Sequence, residues 1–164
     1  MRATRFRILL MLVMMAMSPA LFAQSGTSAG IIVGEPTGLS LKHWVAPTRA
    51  VDAAVAWSFS GRNSLHLHAD HLWHNFEALE PNELAGRFPV YVGLGARVRF
   101  HERRRTRRRS DDDVQVGIRF PLGLEYHFAE APVEIFGELV PILNVVPDSD
   151  FDLNAAVGIR YRFR

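Results

Sequence analysis

Between positions 66 and 74 stand the side chains best suited to bind or polarise a small ligand: His66, His68, Asp70, His71 and His74. Imidazole and carboxylate together suit a transition metal. On a strand, His66, His68, Asp70 and His74 share one face, about 7 Å apart at each two-residue step. Ligands of one zinc ion must all come within about 2 Å of it. These four are therefore metal candidates only with help from another strand, and Glu125 or His127 has the right chemistry. The competing use of the same groups is a hydrogen-bonded network with arginine and glutamate. Ser58, Ser60 and Ser64, with His66 nearby, have the residue types for acyl hydrolysis or transfer, which needs Ser, His and an acid in hydrogen-bond contact. No nucleophile motif surrounds them, and the expectation is a chain without enzymatic activity or cofactor. The third feature is a charge run, His101 to Asp113, with Arg103, Arg104, Arg105, Arg107, Arg108 and Arg109 followed by three aspartates. Guanidinium forks bind phosphate bidentately, and the aspartates suit a divalent cation bridging the same phosphates. The plainer use of the run is a solvated, partly self-neutralised loop.

The elements that must position these residues are strands. From Val114 to Phe128 one face reads Val, Val, Ile, Phe, Leu, Leu, Tyr, Phe and the other Gln, Gly, Arg, Pro, Gly, Glu, His, without a slip. That is a period of two, the mark of a strand with one apolar and one polar face. Segments 50–59, 64–76, 89–100 and 151–163 repeat it. Segment 132–146 is weaker, with Phe136, Val140 and Ile142 on the wrong side, and segment 29–45 is glycine-rich. Pro47-Thr48-Arg49, Gly61-Arg62-Asn63, Glu130-Ala131-Pro132 and Pro147 to Asp150 read as short turns. Asn75 to Phe88 is the longest connection on its side and is expected to contain a short helical turn. The pattern predicts an up-and-down antiparallel meander. It counts seven runs, or eight strands if Gly34-Glu35-Pro36-Thr37-Gly38 is a turn. Unsplit, 29–45 is one long bulged strand in a seven-stranded or incompletely closed sheet.

The first residues are expected to lie outside that fold. Arg2, Arg5 and Arg7 precede an apolar run, Ile8 to Met17, which Pro19 ends. This is the pattern of a secretory signal peptide, and the run is shorter than the roughly 20 residues of a spanning helix. Cleavage is expected after Ala23, with Ala20 as the alternative, giving a signal peptide at 1–23 and one domain at 24–164. An uncleaved membrane anchor is the competing reading. The chain has no cysteine, so neither disulfides nor lipoprotein acylation is available. It carries 19 Lys+Arg and 17 Asp+Glu. Without the three leading arginines the balance is 16 against 17, which gives no basis for nucleic-acid binding.

Period two does not say which face is outside. Three features point the apolar face outward, to lipid. The polar face carries Lys42, Arg97, Arg99, Arg119, Arg160 and Arg162 against Asp52, Asp70, Glu125, Glu134, Glu138 and Asp152, a balance that suits a closed lumen where each charge needs a partner. Gly93, Gly95, Gly117, Gly123 and Gly158 share that face, where small residues relieve crowding. The aromatics gather at strand ends: Trp73, Tyr126, Phe128, Tyr161 and Phe163 at one rim, Trp57, Phe59, Phe100 and Phe151 at the other, as in the girdles of membrane barrels.

At its end, Ala156-Val-Gly-Ile-Arg-Tyr-Arg-Phe-Arg164 resembles the closing strand of outer-membrane barrels, whose terminal aromatic is read by the barrel-insertion machinery. Arg164 behind Phe163 departs from that pattern. The chain after the leader resembles small Gram-negative barrels of the OmpA/OmpX type. Gly34-Glu-Pro-Thr-Gly-Leu-Ser, Leu65-His-Leu-His-Ala-Asp and Phe151-Asp-Leu-Asn-Ala-Ala-Val-Gly-Ile-Arg-Tyr resemble phrases of an uncharacterised group among them. The resemblance implies an all-β transmembrane barrel in the outer membrane, and no catalytic residues. The expected role is structural or surface-interacting, by a monomer with a filled, charge-paired lumen, and the arginine loop is expected to contact lipopolysaccharide phosphates. A porin-like small-solute channel or ligand-binding barrel, a lipid-modifying enzyme and a soluble periplasmic barrel are the alternatives.

Overall fold

The computed structural model of the chain describes residues 26–58, 64–79, 86–101 and 114–163. The expected signal peptide, Phe59, Ser60, the arginine run and Arg164 lie outside them. The described residues form ten antiparallel strands: β1 (Thr27–Gly34), β2 (Thr37–Ala46), β3 (Arg49–Ser58), β4 (Ser64–Asn75), β5 (Gly86–Arg87), β6 (Val90–His101), β7 (Val114–Arg119), β8 (Leu122–Phe128), β9 (Val133–Val146) and β10 (Asp150–Arg162). From β1 to β4 each strand pairs with the next, β6 pairs with β4, β7 and β8, β9 with β7 and β8, and β10 pairs with both β9 and β1, so the sheet closes on itself.

The ring has eight staves, because prolines interrupt two of them without diverting the chain. Pro121 separates β7 from β8, yet both pair with β9, and Gly93 N–H donates to the Pro121 carbonyl at 2.8 Å. Pro89 likewise separates β5 from β6, while Glu125 N–H donates to its carbonyl at 2.9 Å. A proline has no N–H for the ladder, but its carbonyl still accepts. The unbroken alternation of 114–128 therefore marks one stave in two strands. Segment 29–45 does split at Glu35–Pro36, which gives the even count. Gly34 has a φ of 138° there, which L side chains avoid, and Thr37 Oγ1 bonds both its N–H and its carbonyl. The helical turn expected within 75–88 is absent among the described residues. Bends follow Asn75, and Gly86 and Arg87 pair with Phe128 and His127.

Thr27 and Arg162 stand at the same end of the ring, here the near end. The connections after β1, β3, β6 and β9 lie at the opposite, far end. The apolar faces point outward: Ile31, Leu39, Leu94, Leu122, Leu139, Val157 and Ile159 are all exposed. The polar faces are buried inside, the reverse of a water-soluble barrel. Outward aromatics gather at the near rim, where Tyr126 lies against Phe88 and Phe128, and Tyr161 against Phe163. Trp57 and Phe100 stand on one lateral row at the far rim, joined through Leu65.

β9 is the strand whose pattern misled. Its parity is regular, and Phe136, Val140 and Ile142 are buried inside with Glu134 and Asn144, on the face that the half-buried Glu138 shares. They are apolar filler. Phe136 packs with Ile32 and Ala156 and fills the space that a Cβ on Gly158 would need. Gly123 leaves room for the Tyr91 ring in the same way. An eight-stranded ring is just wide enough for its side chains to fill, so each large inward residue needs a small one opposite.

Candidate functional site

The interior is the site in which the chemistry-bearing residues converge. Ser40 and Lys42 of β2, Asp52 of β3, His74 of β4, Glu125 and His127 of β8, Glu134 of β9 and Arg160 of β10 meet in the near half. The Lys42 ammonium lies 2.7 and 2.5 Å from the two oxygens of Glu125 and 3.6 Å from Glu134. Arg160 donates to Asp52 and to Ser40, and stands 3.5 Å from Glu125 and 3.7 Å from Glu134. Its guanidinium carbon lies 3.8 Å over the Phe136 ring, a cation–π contact that desolvation strengthens. Ser28 donates to Glu134 at 2.8 Å.

The middle layer is built on Arg119. Its Nε lies 3.0 Å from both oxygens of Asp70, and Nη2 lies 3.7 Å from Glu138, which also accepts from Tyr91 at 2.9 Å. In the far half, Arg97 donates to Asp152 at 2.7 Å and to Asn144 at 3.0 Å. Arg99 stands 3.6 Å from Asp152 and donates to His66 at 2.9 Å. Eleven of the twelve charges named from the sequence thus meet an opposite charge inside. The twelfth, Arg162, is at the near rim, with backbone carbonyls of Phe128 and Ala131 as its hydrogen-bond partners. Burying an ion costs several kcal/mol unless partners repay it, so such an interior must be paired throughout.

The four metal candidates are all inside but are not one site. His66 joins Ser64 and Arg99. His68 lies 3.9 Å from Asp52 and, with Asp52 and Asp70, places one donor atom from each within 4.8 Å of the others. His74 lies at the near end, against the Trp44 ring at 4.4 Å. The Ser64–His66 contact of 3.0 Å is the pair an acyl-transfer site would use. However, Arg99 donates to the same Nε2. A nitrogen that accepts from a guanidinium is a poor base for a serine. Ser60 and the six arginines lie outside the described residues.

Trp44, Tyr91 and Asn144, with Ser28, Ser40 and Gln115, which accepts from Arg99 at 3.5 Å, are participants not singled out from the sequence. Parity places Tyr91 with Gly93, Gly95 and Arg97, and that was the available signal. Trp44 shares parity with Lys42 and turns in over the near mouth, where its ring lies 4.3 Å from the Lys42 ammonium.

No protein-family model matches the sequence, and no curated protein matches it. Among solved structures the chain is similar to the crystal structure of the N-terminal β-barrel domain of Pseudomonas aeruginosa OprF. The TM-score is 0.62 at 12% sequence identity, over 85% of this chain and 98% of that one. The fold is therefore that of a β-barrel, here with an apolar exterior and a filled, ion-paired interior.

Proposed function

We propose that the chain is an exported protein that spans the outer membrane of a Gram-negative bacterium as a monomeric barrel, with a structural or surface-interacting role. The observation that carries the reading is the inversion of its faces. Inside, Lys42, Glu125, Glu134 and Asn144 have no exposure, while outside, Leu139, Leu153 and Val157 are more than half exposed. Water would penalise that exterior, and a hydrocarbon layer would not. The aromatic rims fit the two interfaces of such a layer. Similarity to an OprF barrel domain supports the fold that this reading needs.

A filled lumen argues against a porin-like channel: Arg97, Arg119, Tyr91 and Ile142 close the interior with almost no exposure. Engagement of His66 by Arg99 argues against a lipid-modifying enzyme. The arginine run leaves the ring between His101 and Val114 at the far end, opposite Thr27 and Arg162. With the near end in the periplasm, the run faces outward, where its guanidinium forks suit the phosphates of lipopolysaccharide.

Fractionation tests the address. The protein is expected in the outer-membrane pellet, resistant to carbonate extraction, and recovery in the osmotic-shock supernatant would contradict the proposal. Replacing Arg103–Arg105 and Arg107–Arg109 by serine tests the loop. Reduced lipopolysaccharide co-purification is expected, and an unchanged amount removes that part of the proposal.

A further inference from the structure

The near-end carboxylates divide their oxygens between two tasks. Glu125 Oε1 faces Lys42 and Arg160, at 2.7 and 3.5 Å. Glu134 Oε1 accepts from Ser28 and faces Lys42 and Arg160. The Oε2 atoms also meet imidazoles, although Glu125 Oε2 shares Lys42 at 2.5 Å. His127 Nε2 lies 2.8 Å from Glu125 Oε2 and 3.7 Å from Glu134 Oε2. His74 Nε2 lies 3.6 Å from Glu125 Oε2. Ligands arranged tetrahedrally around zinc at its usual bond lengths stand about 3.4 Å from one another, and the three separations bracket that value.

Two members of this group are buried with valences unused. Among the described residues neither ring nitrogen of His74 has a hydrogen-bond partner, nor does Glu134 Oε2, although both side chains are fully buried. Buried polar groups are normally satisfied. Here the unsatisfied atoms belong to ligand-type residues, and two of them, His74 Nε2 and Glu134 Oε2, each lie within 4 Å of another ligand-type atom. Glu125, His127 and Glu134 place one donor atom each within 4.8 Å of one another, with His74 beside them, and Asp52, His68 and Asp70 do the same, but that second cluster is different. Both Asp70 oxygens are taken by Arg119, and Asp52 is held by Arg160. The near-end group is also the one with an entrance: His127 lines an open cleft of about 670 Å³ with Trp44, Phe76, Arg87 and Arg162.

We propose that His74, Glu125, His127 and Glu134 bind one divalent transition-metal ion, of zinc type, entering from the near mouth. Two imidazoles and two carboxylates suit zinc or copper better than calcium or magnesium. Ser28, Lys42 and Arg160 hold the Oε1 atoms and so orient the ligand oxygens, the part that outer partners play in metal sites. Lys42 also lies 2.5 Å from Glu125 Oε2. The ion must displace it there, leaving the ammonium to Oε1 and Trp44. That competition makes the site an exchangeable one. The proposal rests on the barrel's interior and not on where the barrel resides.

Trp44, in contact with the His74 ring, reports occupancy. Trp57 and Trp73 face outward, and Trp57→Phe with Trp73→Phe leaves Trp44 as the sole indole. With untagged protein folded in detergent, Cu(II) is expected to quench Trp44 saturably at one ion per chain, and Zn(II) to displace it. His74→Gln and His127→Gln are each expected to weaken binding by at least the roughly tenfold that losing even an outer partner costs. His66→Gln and His68→Gln are expected to leave it unchanged. Quenching without saturation, or undiminished affinity in the His74 and His127 variants, overturns the proposal. X-ray absorption of the zinc-loaded wild type decides the matter independently of any variant's folding. Two imidazole nitrogens and two oxygens are expected, and a shell without imidazole contradicts the assignment.

Discussion

The near and far halves of the lumen are both charged, but they balance differently. In the near half, Glu125 and Glu134 each face Lys42, Arg160 and His127, and every one of these side chains is nearly or fully buried. In the far half the arginines outnumber their acceptors. Arg97 Nε and Nη1, with the Nδ2 atoms of Asn144 and Asn154, have no partner among the described residues. Asp152, which serves both Arg97 and Arg99, is 31% exposed. The near half also leaves atoms over among the described residues, the two ring nitrogens of His74 and Glu134 Oε2, but there the side chains are fully buried, whereas the donors left over in the far half stand beside a carboxylate open to water. The near half is therefore the drier of the two and the far half the wetter.

Substitutions can break this comparison. Arg160→Met should have the largest effect, because it strips three buried carboxylates of a shared cation. A loss of about 3–5 kcal/mol is expected, read by urea unfolding in detergent micelles. A loss below 1 kcal/mol would mean that the near half is not the keystone. Leu139→Arg, on the outward face midway along β9, should cost about 2–4 kcal/mol in lipid vesicles. On a water-facing surface the same change would be close to neutral. Asp152→Asn should be smallest, about 0.2–1 kcal/mol, because water shares the work of its carboxylate. If it equals Arg160→Met in the same unfolding assay, the two halves do not differ.

Much of this was legible along the chain. Period two at 114–128 and 151–163 located the staves, and parity alone placed Lys42, Asp52, Glu125 and Arg160 on one face. The turn at Glu35–Pro36 was readable from its residues. What escaped has two physical causes. Parity names a face but not a partner across the ring. Lys42 meets Glu125 at a separation of 83 residues, and Arg160 meets Asp52 at 108, and the ring's closure brings them together. A narrow lumen is also not uniformly polar. Phe136 is inside because Gly158 makes room and Arg160 covers its face, so an apolar side chain on the inner face read as an error of pattern. The need for Glu125 or His127 across the lumen was readable, but not which histidine meets them: His74 lies beside Glu125 of β8, and His66 beside Arg99 of β6.

The central claim is that the outward apolar face meets hydrocarbon while the inward face does not. Leu139→Trp as the sole indole, folded into vesicles of lipid brominated at mid-chain, measures this directly, with Trp44 alone as the comparison. The account predicts strong quenching at position 139 and little at Trp44. Equal quenching at both positions, or none at 139, would contradict it.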